Sequence, residues 1–117
     1  MTDTILLTVP SGLRGAGVIA LVLGGLGSRL DLPVDRIDEL ALAAATLAAS
    51  VQADALELEA DVLDDRLVVR IGPLEDGTTT DPALRRVVDA LVDGVAGVRK
   101  GDHEWLELEL IRGEAGR

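Results

Sequence analysis

The chain has 117 residues, nearly half of them apolar, and a formal net charge of −10. Length and composition support one domain with a single core and exclude a disordered chain, while the charge disfavours nucleic acid and acidic membranes, which both require a positive surface. With no cysteine, disulfides, thiol catalysis and cysteine-ligated metals are ruled out, and with Trp105 as the sole aromatic residue so are the stacking platforms of single-strand binders.

Thr4 to Val9 is a β-branched and aliphatic run closed by Pro10, which predicts a first strand. Ser11 can cap a first helix from about Gly12 to Leu30, with Leu13, Ala16, Ala20, Leu23 and Leu30 on one apolar face. Val18, Ile19, Leu21 and Val22 make its other faces apolar too, so cover on more than one side is expected. Ala16, Ala20, Gly24 and Ser28 form a ridge of small residues at helical spacing, suited either to close packing within the chain or to a dimer or partner surface. The most apolar run, Ala16 to Leu26, is too short to cross a bilayer, and it starts too far into the chain, without a basic leader or a small-residue cleavage site, to be expected as a signal peptide. The expected location is therefore the cytoplasm.

A second helix follows Pro33, with Asp35 as its expected N-cap, and Ile37, Leu40, Ala44, Leu47 and Val51 keep the helical period. The period then changes to two. Leu56, Leu58, Ala60 and Val62 alternate with Glu57, Glu59 and Asp61, and Leu67, Val69 and Ile71 resume the alternation beyond an Asp64-Asp65 turn, which predicts a hairpin with one buried face. Gly72 to Thr80 reads as a loop. Asp81-Pro82 starts a third helix whose inner face is Leu84, Val87, Val88, Leu91, Val92 and Val95. Gly101-Asp102 turns the chain into a last strand, with Leu106, Leu108 and Leu110 inward and Glu107 and Glu109 outward, and 113–117 is a tail. The expected fold is a two-layer α/β (α+β) sandwich, with helices on one face of a mixed, mainly antiparallel sheet.

That element order, together with the second-helix pattern Ile37-Asp38-Glu39-Leu40-Ala41-Leu42-Ala43, resembles the anti-sigma factor serine kinases of the RsbW type, within the GHKL superfamily of histidine-kinase-like ATPase domains. The resemblance runs from about Ile5 to Ile111. It implies a partner that is a sigma factor or an antagonist protein with a STAS fold. It also implies an ATP site, and there the chain departs from the family. Thr46 stands where the family has its catalytic Glu, and Ser50 where it has its metal-binding Asn. Arg70 stands in place of the Asp that reads the adenine amino group, with Gly72 as the surviving glycine; Asp76-Gly77 is the alternative register. The phosphate lid is also missing, because Thr78 to Leu84 has no glycine in that place. The positions Thr46, Ser50, Arg70 and Gly72 are thus vestigial, with no catalytic residue, no cofactor and no metal expected.

Each of these residues also has a plainer reading. Thr46 and Ser50 make a small polar stripe on a partly exposed helix face. His103 is a solvated turn residue, and Trp105 a rim or core anchor. The row Glu57, Glu59, Asp61, Glu107 and Glu109 is a solvated sheet face with Arg66 and Arg70 relieving its repulsion, or else a docking surface for a basic helix. The resulting expectation is a single-domain pseudo-kinase: a non-catalytic regulatory domain that sequesters a protein partner. The alternatives are an active ATP-dependent protein serine kinase with divergent motifs, and a self-associating module that forms a homodimer through the first helix.

Overall fold

The computed structural model describes residues 3–10, 12–51 and 55–111; the expected cap Ser11, the side chain of Leu13 and the tail 113–117 lie outside the described residues. In chain order the elements are strand β1 (Asp3–Pro10), helices α1 (Gly12–Arg29) and α2 (Val34–Ser50), strands β2 (Ala55–Val62) and β3 (Arg66–Leu74), a 3-10 turn (Thr78–Thr80), helix α3 (Pro82–Leu91), and strands β4 (Gly94–Lys100) and β5 (His103–Ile111).

The strands form one sheet in the order β1-β2-β3-β5-β4, and every pairing in it is antiparallel. The expectation of a mixed sheet is corrected: β4, which was not foreseen, forms a hairpin with β5 through Gly101, at φ +64°, instead of a crossover that a parallel pair would need. The third helix is correspondingly shorter than its apolar pattern suggests. It ends at Leu91, Val92 is buried just beyond it, and Val95 belongs to β4, opposite Leu108.

Alternation decides which way each strand faces. Leu56, Leu58 and Ala60, then Leu67, Val69 and Ile71, then Leu106, Leu108 and Leu110 are fully buried toward the helices. Ile19 and Leu23 of α1 and Leu40, Ala43, Ala44, Leu47 and Ala48 of α2 meet them. Burying each such leucine contributes roughly 1.5–3 kcal/mol, so aliphatic side chains alone suffice for this core.

α1 packs closely along α2, and of the ridge Ala16, Ala20, Gly24 and Ser28, Ala16 packs against the core whereas Gly24 faces open space and Ser28 is exposed. A Cβ at Gly27 would collide with the side chain of Ile37, and one at Gly15 with the carbonyl of Pro10, whereas Gly17, Gly24 and Gly25 face open space. The outer side of α1 is not covered by the described residues: Leu21 is 78% exposed and Val18 is at the surface with it. At the start of α2 the capping position is Pro33, without a side-chain cap bond, and Asp35 sits in the first turn rather than at the expected cap. Asp81, by contrast, caps α3 as expected, accepting a hydrogen bond from the Ala83 amide at 3.0 Å.

The face of the sheet away from the helices carries an ion network. Arg70 donates to Glu107 through Nε at 2.8 Å, and through Nη1 to Asp61 at 2.7 Å and Glu59 at 3.0 Å. Glu59 also accepts from Lys100 at 2.8 Å, and Arg66 pairs with Glu109 at 3.2 Å. Of the acidic row, Glu59, Asp61, Glu107 and Glu109 are therefore paired within the chain, and beneath them lie Val68 and Trp105, each 6% exposed. The indole packs flat on Gly72, where a Cβ would fall 2.6 Å from its ring, and the Lys100 ammonium sits 4.2 Å from a ring centroid.

Candidate functional site

The C-terminal half of α2, the loop after β3 and the start of α3 enclose an open cleft of about 530 Å³. Thr46 and Ser50 line one wall, Glu75, Asp76, Gly77 and Thr78 a second, and Asp81, Ala83, Leu84 and Val87 the third. The helical spacing of Thr46 and Ser50 places both on the cleft side of α2. Both hydroxyls donate back into their own helix, Thr46 to the Leu42 carbonyl at 2.7 Å and Ser50 to that of Leu47 at 2.8 Å. Neither has the carboxylate or amide needed to activate a nucleophile or hold a metal ion.

The other two vestigial positions are elsewhere. Arg70 is on the far face of the sheet, at the centre of the ion network, and Gly72 lies against Trp105 on that same face. The strand between them and the cleft turns Ile71 inward instead. Of the two registers considered for the loop, Asp76-Gly77 is the one in the cleft wall. Structure thus brings Thr46, Ser50, Asp76 and Gly77 together and leaves Arg70 and Gly72 outside.

The residue that most shapes the site is one the sequence reading passed over. Glu104 belongs to β5 and is in phase with Leu106, Leu108 and Leu110, so its carboxylate points to the helix side. It accepts the Gly77 amide at 2.6 Å, the Thr79 amide at 3.1 Å and the Thr79 hydroxyl at 2.7 Å. Gly77 reaches this geometry at φ +92°, a conformation that glycine adopts without strain. Gly97 permits the turn to lie on β4, since a Cβ there would fall 2.7 Å from the Thr79 hydroxyl. These bonds, the Gly77 amide first, hold the Glu104 carboxyl below the usual carboxylate range. A charged residue at an inward position of an alternating strand was the signal that could have found it.

Electrostatically the cleft is acidic. Its charged lining is Glu75, Asp76 and Asp81, with no cationic side chain among them. Backbone donors at the cleft are largely engaged: Glu104 takes the Gly77 and Thr79 amides, the Thr78 and Thr80 amides bond to the Glu75 and Gly77 carbonyls, and Asp81 takes Ala83 at the start of α3. Phosphates would meet repulsion and occupied donors. Among the described residues no group of three or more His, Asp or Glu could hold a metal ion. His103 begins β5 opposite Lys100, at the rim of a neighbouring cleft with Asp102, Glu75 and Asp76. Among the described residues no helix is long and apolar enough to cross a membrane.

Replacing Glu104 by Gln should loosen the turn, read as faster amide hydrogen exchange at Gly77 and Thr79. In the parent, the carboxylate's folded-state pKa is depressed, so its stabilisation is present above the ordinary Glu pKa and is lost as pH falls through the lower folded value. The exchange difference between parent and E104Q should therefore shrink in acid. An equal difference at every pH would contradict the bonding described.

No family model matches this chain, and no curated protein is significantly similar to it in sequence.

Proposed function

We propose that this chain is a non-catalytic regulatory binding domain of the anti-sigma type, sequestering a sigma factor or a STAS-fold antagonist in the cytoplasm. The observation that carries the absence of catalysis is the cleft: its Gly77, Thr79 and Ala83 amides are taken by Glu104 and Asp81, its lining charges are carboxylates, and Thr46 and Ser50 turn back into their helix. Sequestration then rests on surface. The outer side of the helical pair presents Leu21, Leu42 and Val18, exposed by 78%, 55% and 36%. The acidic sheet face is less available, because Arg70, Arg66 and Lys100 already pair with Glu59, Asp61, Glu107 and Glu109. The mechanism is steric: an apolar helix of the partner covers this face and is withheld from its other complex.

Titration calorimetry against sigma factors and STAS-fold proteins of the same cell tests this reading, with and without ATP and magnesium. A complex whose affinity is unchanged by nucleotide is expected, weakened about tenfold or more by Leu21→Glu, since burying one leucine is worth roughly 1.5–3 kcal/mol. ATP binding in the micromolar range, or phosphate transfer to the partner, would overturn it.

A further inference from the structure

The two ends of the sheet are the strands β1 and β4, each hydrogen-bonded to one neighbour only. β4 reads Gly94-Val95-Ala96-Gly97-Val98-Arg99-Lys100, with small residues at one end and two cations at the other. Along the outer side of that edge runs a groove of about 190 Å³ lined by Gly94, Val95, Ala96, Glu107 and Glu109. Because Gly94 has no side chain, the Glu109 carboxylate leans over it, 3.2 Å from where a Cβ would stand. Among the described residues this edge thus has no second strand partner, the Val95 carbonyl accepting a bond from Arg85 at 3.5 Å, and it has an acidic groove at its beginning and a basic group at its end.

We propose that β4 pairs antiparallel with β4 of a second copy of this chain, about a two-fold axis at Gly97, making one continuous sheet across the dimer. The register follows from the axis. Gly94 then faces the partner's Lys100, Val95 the partner's Arg99, and Ala96 the partner's Val98. Gly94, Ala96, Val98 and Lys100 share the outer face, because their partners on β5 are Glu109, Glu107, Trp105 and His103. A lysine opposite Gly94 enters the groove beside Glu109, and the symmetry places two such cation–carboxylate contacts in the dimer. The neighbouring Ala96–Val98 pairs are apolar and small, so no like charges oppose each other on that face. Closure by a two-fold axis is also how an exposed edge is removed without open-ended stacking at that edge. Lys100 is 43% exposed, and the exchange replaces its ion pair with the part-buried Glu59 and its place over the ring of the buried Trp105. The occupant is a second copy because both complementary groups lie on the one hairpin.

Sedimentation equilibrium on the intact chain tests this surface independently of the sequestration reading. The expected result is a reversible dimer of about 24 kDa, twice the 12.2 kDa chain. Lys100→Glu alone and Glu109→Lys alone should each weaken association about tenfold or more, since each puts like charges in both symmetric contacts. Mixing the two variants should restore it, because the heterodimer regains both opposite-charge contacts, one of them with the charges exchanged, and a fold defect could not be repaired in trans. Monomer at every concentration would overturn the proposal. So would a dimer that both variants leave intact, or one that Leu21→Glu disrupts while the charge variants do not.

Discussion

Replacing Gly15 by alanine should destabilise the fold by about 3 kcal/mol or more, at the upper end of what overpacking costs. The added methyl would be driven into the carbonyl of Pro10, which is backbone at the end of β1 and has no rotamer with which to yield. Relief would require α1 to shift away from the strand it follows, and that shift would open its contacts with α2. Gly17→Ala is the matched control. It lies one half-turn along the same helix with nothing within 4 Å, so it should stabilise by up to ~1 kcal/mol through helix propensity. Urea unfolding of both variants reads the difference. Equal midpoints would show that α1 does not press on β1 as described.

The second large effect is expected at Arg70. Arg70→Met keeps the stem over the sheet and removes the cation that three carboxylates share. Its side chain is 24% exposed, so solvent screening discounts the loss, which should be about 2 kcal/mol at neutral pH. The pH dependence carries the sign. The Asp61 carboxyl is held below the usual range, first by the hydrogen bond from Arg70 and then by that from Thr4. Its contribution is present above the ordinary Asp pKa and disappears as pH falls through the depressed folded value. Without Arg70, Glu59, Asp61 and Glu107 repel one another while ionised, and protonation relieves them. The variant should therefore lose most against the parent at neutral pH and approach it in acid, as followed by thermal melts across that range. A gap that widens on acidification would exclude this account.

Much of the architecture was legible because burial imposes a period. α2 was readable from Ile37, Leu40, Ala44 and Leu47, and the inward sides of β2, β3 and β5 from strict alternation, since each of these elements has one covered face. β4 was not, because Gly94-Val95-Ala96-Gly97-Val98 alternates nothing and follows a run whose valines happen to continue the period of α3. Its strand conformation comes from pairing with β5, a tertiary cause that local propensity does not contain. The cleft was half legible. Thr46 and Ser50 fall on one helix face by spacing alone, and the structure keeps them together. Arg70 was assigned to the same site through the resemblance, although the alternation with Val69 and Ile71 already turned it to the other side of the sheet. Glu104 went unnoticed because the donors it satisfies belong to a turn distant in sequence.

The burial of Trp105 on the outer face has a spectroscopic consequence. With no Tyr or Phe in the chain, this indole is the only intrinsic fluorophore, and it sits between Gly72 and the Lys100 ammonium, opposite Val98 of the edge strand. Its emission wavelength and quenching thus report on one side of the molecule alone. A ligand entering the acidic cleft or a partner laid on the helices would leave the spectrum nearly unchanged, whereas displacement of Lys100 at the sheet edge would register directly, without any label.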